Sequence, residues 1–401
     1  MLFAHSPRNL ASTSGPLAPP RRAWLAGLGA LIGTLALTAL PAGASDPSQA
    51  EIHIGASAAL SGPAAALGLR YHAGARAYFK QLNQHGGIHG SRLVLDLLDD
   101  AYEPERTEAN TRQLIEQART LALFGYVGTP TSLAALPFVK RSKLAFVGAY
   151  SGADALREPI NAQVFNVRAS YAQEGVALAQ AMRRDGVRRV DVIYQADLFG
   201  RSGLEAIRDA AQKAKLQLGQ VITVKRNSAD VASPVRELLE RSSASAGGSA
   251  GGSQAIFMVS SYASCAAIVR EARQQGFRGR FYTLSFAGLE PLREALGAGM
   301  KGLTLAQVMP DAENRKLPLV AEYQQAMLAA GEHDFDSISL EGYVAARVLA
   351  EGLRRAKPPL TRESVAPALE SLGALDLGGL RLHFSAQRHQ GSDLVELRVG
   401  K

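Results

Sequence analysis

The stretch that most constrains the fold is Leu121 to Ala135, LALFGYVGTPTSLAA. An apolar run ends in Gly-Tyr-Val-Gly, passes through a Thr-Pro-Thr-Ser cluster and enters a helical pattern. A strand apolar on both sides needs cover on both faces, as in a parallel sheet sandwiched by helices. Gly125 and Gly128 supply the backbone freedom for a sharp turn. Thr129, Thr131 and Ser132 suit the start of a helix, as caps or as hydroxyls offered to a ligand. In open α/β sheets ligands bind beyond the carboxyl ends of the strands, so this loop is a candidate site.

The same alternation recurs along the chain. Strands are expected at Glu51 to Leu60, Leu93 to Asp99, Leu121 to Tyr126 and Leu144 to Gly148, with a short one at Phe165 to Val167. Helices are expected between them, at Leu69 to Asn83 and Glu105 to Glu116. A second series follows, with strands at Arg189 to Tyr194, Gln220 to Val224, Ala255 to Val259, Arg280 to Ser285 and Gly302 to Val308. Its helices are Glu174 to Arg184, Gly203 to Lys215, Val231 to Arg241 and Cys265 to Gln275. Two βα series of similar size predict two doubly wound α/β lobes rather than one large sheet. Ser242 to Ser253, SSASAGGSAGGS, reads as a flexible surface insertion. Helices are expected at Leu317 to Ala330, Ser337 to Ala356 and Thr361 to Leu372. Gly378 to Phe384 and Asp393 to Val399 are expected to pair as terminal strands across the loop Ser385 to Gly391.

Residues 1–44 have the pattern of an export signal. Arg21-Arg22 precede an apolar run, and Ala42-Gly43-Ala44 forms a small-x-small cleavage site. Ala44 is then the last residue removed, and no cysteine lies beside it to carry a lipid anchor. The arginine pair is compatible with twin-arginine as well as general export. The formal charge of +8 is spread along the chain, and three of the arginines fall in this acid-free segment. No basic block interleaved with aromatics speaks for nucleic-acid binding. Cys265 is the one cysteine, so no intrachain disulfide forms.

Signals of catalysis are absent. There is no phosphate loop, no nucleophile elbow and no dinucleotide fingerprint. His85 and His89 are separated by Gly86-Gly87, which break a metal-binding helix. Asp99-Asp100 reads as a strand end rather than a cation site, and Cys265 as core. No cofactor or metal is expected, and the chain is not read as an enzyme. What remains is a set of strand-end loops rich in Gly, Ser, Thr, Tyr and Phe, the residue types that hold small molecules.

The order of these motifs resembles the branched-chain amino-acid type of periplasmic substrate-binding protein. IGASAALSGPAAALG, NQHGGIHG, LDDAYEPERTEANTRQLIEQ and the Gly-Thr-Pro-Thr-Ser loop carry the resemblance, followed by FNVRASYAQEG, YQADLFGRSGLEAI and ISLEGYVAARVLAEGL. It implies two α/β lobes joined by three crossover segments, lobe one being residues 51–168 with 310–375 and lobe two 169–309 with 376–401. It also implies a ligand clamped between the lobes and delivered to the membrane permease of an ABC importer, by a periplasmic monomer. The same cleft serves ligand sensors that feed a regulator. Ligand contacts are expected from Ser61, Thr129, Thr131, Tyr150, Ser151, Gly152, Arg168, Tyr171, Phe199, Tyr262 and Ser285. Amino-acid binders place an acid for the ligand ammonium where this chain has Ser285, with Glu290 a few residues on. An uncompensated ammonium in a closed cleft is costly. The expected ligand is therefore a small organic solute, an amino acid or a carboxylate on an apolar or aromatic body, with Arg168 offering a bidentate contact to the anion.

Overall fold

The computed structural model describes residues 50–117, 119–245 and 254–400. The expected export signal, residues 1–44, lies outside them, as do residues 246–253 of the expected insertion Ser242 to Ser253, whose first four residues instead end a helix, Ala232–Ser245. The first sheet is built from β1 (Glu51–Ala58), β2 (Arg92–Asp99), β3 (Thr120–Phe124), β4 (Ala145–Val147) and β5 (Val164–Phe165), in the order β2-β1-β3-β4-β5. All its pairings are parallel. The second contains β6 (Arg189–Gln195), β7 (Gln217–Val224), β8 (Ala255–Val259), β9 (Arg280–Thr283) and β10 (Leu303–Gln307), with β13 (Glu396–Val399) as an antiparallel edge. Its order is β13-β10-β9-β8-β6-β7.

Each sheet reverses its winding at one point, between β1 and β3 in the first and between β6 and β8 in the second. Connections leave such neighbours in opposite directions and open a crevice at their carboxyl ends. The fold is the expected one of two doubly wound lobes. The chain crosses between the sheets at residues 166–170, after β10, and again between β12 and β13.

β1 and β3 are buried almost throughout, because helices cover both faces. Gly128 adopts φ +102°, and a Cβ there would meet the Tyr102 ring at 2.1 Å. Only glycine fits that turn. The first sheet is covered by α1 (Ala65–Gln84), α2 (Pro104–Glu116) and α3 (Thr129–Ser142), and by α9 (Pro318–Ala330), α10 (Ser337–Arg355) and α11 (Arg362–Glu370). The second is covered by α4 (Tyr171–Arg184), α5 (Leu198–Lys213), α6 (Ala232–Ser245), α7 (Tyr262–Gln274) and α8 (Leu289–Leu296). Among the described residues no helix is long and apolar enough to cross a membrane.

Three expectations are corrected. The terminal strands do not pair with each other. β12 (Arg381–Phe384) forms a hairpin with β11 (Gly373–Asp376), while β13 joins β10. Gly378 and Gly379, both at positive φ, make the tight β11–β12 turn, and a strand-length segment then carries the chain across to the other sheet. Thr129, Thr131 and Ser132 do not cap α3. Gly128 is its N-cap, and Thr131 Oγ1 donates back to the carbonyls of Val127 (2.5 Å) and Gly128 (3.0 Å). A short helix, α8, follows β9 where the sequence pattern gave none. Eight residues behind Gly288 are too few to display a period.

Helices α1 and α10 approach until backbones touch. A Cβ on Gly342 would lie 1.8 Å from the Tyr71 carbonyl oxygen, and one on Gly74 1.8 Å from that of Ser339. Gly342→Ala therefore forces the helices apart and should cost about 1–3 kcal/mol, the usual range for overpacking. A lowered urea midpoint at unchanged m-value checks this.

Candidate functional site

The loops that leave the carboxyl ends of both sheets meet one another. From the first sheet, Thr129 opens α3 and Ser151 follows β4. Their buried hydroxyls are 2.8 Å apart, and Ser151 Oγ also accepts the Ala153 N–H at 3.2 Å. Ser132 Oγ is buried beside them with no hydrogen-bond partner. Gly152 is where the chain passes the Tyr171 ring, since a Cβ would sit 2.4 Å from it, and its carbonyl accepts the Tyr171 N–H at 2.6 Å.

Aromatic rings form the wall between the sheets. Phe286, in a single 3-10 turn after β9, lies 4.4 Å from Phe199, 5.6 Å from Tyr150 and 5.7 Å from Tyr102, centroid to centroid. Phe199 also packs on Tyr171 at 5.5 Å. All five rings are buried. Gln195, at the end of β6, donates to the Tyr102 hydroxyl at 3.4 Å and accepts from Ser260 at 3.3 Å. Around the rim, Arg226 and Asn227 hold Glu103, the latter at 2.8 Å, and Arg70 meets Glu294 at 2.6 Å.

The polar centre is Arg168, fully buried on the first crossover. Its guanidinium stacks 4.6 Å over the Tyr150 ring, and its Nη2 donates to Ser285 Oγ. Nε lies 3.5 Å from Glu341 Oε1, and Nη2 lies 4.0 Å from Glu174 Oε1. Ser285 also gives its N–H and its hydroxyl to the two oxygens of Glu174, at 2.8 and 2.7 Å. Tyr150 OH reaches the Ser285 carbonyl at 3.3 Å. A small cavity of about 10 Å³ lies among Tyr150, Arg168, Ser285, Gln307 and Glu341. A wider hollow of about 490 Å³, between Asp154, Gln173, Arg388 and Asp393, lies against the crossover segments. The site is assigned to the smaller space because convergent buried polar groups, not volume, mark a binding site.

Burial dominates the charges. It pushes the Glu341 carboxyl up to about 7, outweighing the pull of Arg168. It raises Glu174 too, against Arg168 and the Ser285 hydrogen bonds. Burial works against the charge of Arg168, but Glu341, the tyrosines and Glu174 more than offset it and hold the guanidinium above its usual value. Arg157 is lowered to about 10 by burial and by Arg168. Its donors go to backbone carbonyls of Ser151, Ala153 and Arg168 and to Gln390.

The structure thus brings Thr129, Tyr150, Ser151, Gly152, Arg168, Tyr171, Phe199 and Ser285 together. It does not bring the hydroxyls of Ser61 and Thr131 to them. Ser61 is exposed, its hydroxyl tied to Asp99 Oδ2 at 2.6 Å, and Thr131 faces its own helix turn. Tyr262 opens α7, partly buried against the core. Arg168 does not offer a free fork, because Nη2 is taken by Ser285 and Nε faces Glu341. Three groups were not read from the sequence: Glu174, Glu341 and Tyr102. Glu341 had a signal, an acid inside the wholly apolar face of ISLEGYVAA.

The remaining candidates are structural. Asp99 accepts from Leu60, Ser61 and Ala101, and Asp100 from Ser57, Tyr102 and Thr107. The Cys265 thiol donates to the Ser260 carbonyl at 3.3 Å, and burial pushes it up to about 12, far from a reactive thiolate. Among the described residues no three His, Cys, Asp or Glu side chains gather as metal ligands.

A model of the periplasmic binding protein family matches residues 51–397, and the chain belongs to that family. Its structure is similar to a possible leucine/isoleucine/valine-binding protein from Rhodopirellula baltica, with TM-score 0.81 and 33% identity, over 89% of this chain and 96% of that one. The Leu/Ile/Val-binding protein homolog 3 of Brucella melitensis is 24% identical over 333 residues, 82% of this chain and 85% of that protein. An amino acid binding protein of Pseudomonas aeruginosa is 24% identical over 242 residues, and that match spans 62% of its length. The fold is that of type I periplasmic binding proteins, and family and fold are those of substrate-binding proteins, not of enzymes.

Two outcomes follow from the buried charges. Arg168→Met leaves Glu174 and Glu341 without their cation and should destabilise by about 3–5 kcal/mol. Adding Glu341→Gln should recover part of that loss in a denaturation double-mutant cycle. Separately, a carboxyl raised from the usual 4.5 to about 7 favours folding in its protonated form. That contribution is complete below pH 4.5 and is lost as pH rises toward 7. The melting point of Glu341→Gln relative to wild type should therefore climb between pH 4.5 and 7.

Proposed function

We propose that the protein is an exported solute receptor that closes its two lobes around a small organic ligand and hands it to the permease of an ABC importer. The observation that carries this reading is the convergence, from both sheets, of the Thr129–Ser151 hydroxyl pair, five aromatic rings and the buried Arg168–Ser285 centre on one crevice. Such a site holds a polar head by hydrogen bonds and an apolar body against rings. Closure about the crossovers would be stabilised by contacts that the ligand makes to both lobes. Lobe one would comprise residues 51–168 and 310–375, lobe two 169–309 and 376–401, in a monomer matured after Ala44.

The ligand class rests on the charges. Ser285 brings no charge for an ammonium, but it orients Glu174, and Glu341 stands behind Arg168. Two carboxylates face one well-placed arginine, so an amino acid and a simple carboxylic acid both remain within reach of the site. Membership of a family that includes leucine/isoleucine/valine-binding homologues supports the amino-acid or organic-acid size range.

A thermal-shift screen of the chain from Ser45 tests the reading, with aliphatic α-amino acids, the matching acids without the amine, and aromatic acids. A ligand at a hundred times its dissociation constant should stabilise by about 2.7 kcal/mol. Thr129→Ala and Ser151→Ala should each weaken that ligand about tenfold, the worth of one or two lost hydrogen bonds. Binding unaffected by either change would place the ligand elsewhere.

A further inference from the structure

Arg168 and Glu341 are incompletely paired. Arg168 Nε and Nη1 are buried with no hydrogen-bond partner, and so is Glu341 Oε1, although it lies 3.5 Å from Nε. The neighbouring carboxylate is different. Glu174 is fixed by two hydrogen bonds from Ser285.

The other groups around Glu341 are engaged elsewhere. Tyr71, on α1, donates its hydroxyl to the Gly148 carbonyl at 2.5 Å, and Tyr150 donates to the Ser285 carbonyl at 3.3 Å. Arg157 spends its donors on backbone carbonyls and Gln390. The Glu341 charge thus leans chiefly on Arg168, the cation within ion-pair distance, with a weaker pull from Arg157.

We propose that the cleft takes an organic anion, a carboxylate on an apolar or aromatic body, and that Glu341 takes up one proton from solvent as the anion binds. The proposal rests on the solute-binding reading above. The anion accepts a hydrogen bond from Arg168 Nη1, the buried donor left open. Three carboxylates then face one guanidinium inside a site closed to water, and such like charges cannot all stay ionised. Burial raises Glu174 as well, but two hydrogen bonds from Ser285 favour its charged form. Glu341 has no such support, so the proton goes to its carboxylate and the net charge of the site is conserved. Burial has already brought this group near neutrality, so the proton is taken at little cost. An ammonium ligand would act in the opposite sense, pairing with Glu341 and expelling a proton. The sign of proton exchange therefore reports the charge class of the ligand.

The test is calorimetry of the mature chain with benzoate, 4-methylpentanoate and leucine, in buffers of different ionisation enthalpy, from pH 6 to 8.5. Leucine and 4-methylpentanoate share their apolar body and carboxylate and differ in the amine. The expected result is that an acid without the amine binds with uptake approaching one proton at pH 8. Its affinity should fall about tenfold between pH 7.5 and 8.5, the slope of a single linked proton. Glu341→Gln should abolish both the uptake and the slope. Binding of an acid without proton uptake overturns the proposal and leaves the solute-binding reading standing. So does binding of leucine with proton release, or a pH slope that survives in Glu341→Gln. If no probe binds at any pH, the organic-acid reading falls and the proposal with it.

Discussion

A guanidinium cut off from water is the constraint around which the centre of this molecule is arranged. Arg168 is fully buried on the segment that joins the two sheets. A charge in that position is affordable only with several partners. They come from four separate parts of the chain: the Tyr150 ring after β4, Glu174 on α4, Ser285 after β9 and Glu341 on α10. Satisfying one charge thus fixes loops of both sheets against each other. The same contacts shape the crevice in which a solute would sit.

The division of labour within the crevice follows from residue chemistry. Hydroxyls and backbone groups gather on the first-sheet side, where Thr129 and Ser151 pair. The second sheet supplies Phe286, which packs on Tyr150 and Tyr102 across the gap, and Phe199, which packs on Phe286. Neither half is a site alone. Cys265 is locked in the core. The convergence of hydroxyls and rings is in keeping with a family of binding proteins.

Much of this was legible in the sequence because it repeats. Buried parallel strands announce themselves as apolar runs, and β8 was bounded to the residue. The ordered loops pointed to Thr129, Tyr150, Ser151 and Arg168. What was hidden depends on distant partners. Glu174 and Glu341 are acids on helices, and nothing local says that a buried arginine lies against them. Ser61 and Thr131 looked like ligand hydroxyls, yet nearby acceptors, Asp99 and the α3 turn, capture them. The destination of β13 was beyond local reading, since a lone edge strand carries no signal of which sheet receives it.

The central claim is that the Arg168 centre couples the lobes. The direct measurement is an electron-spin distance between labels on Leu69, 52% exposed at the start of α1, and Leu198, 39% exposed at the start of α5. The buried Cys265 stays out of the labelling chemistry. The account predicts that Arg168→Met lengthens and broadens this distance in a chain that keeps its helix content, as the first-sheet loops come away from Ser285. A distance distribution identical to that of the wild type would contradict it, and would reduce Arg168 to a buried charge with no part in holding the lobes together.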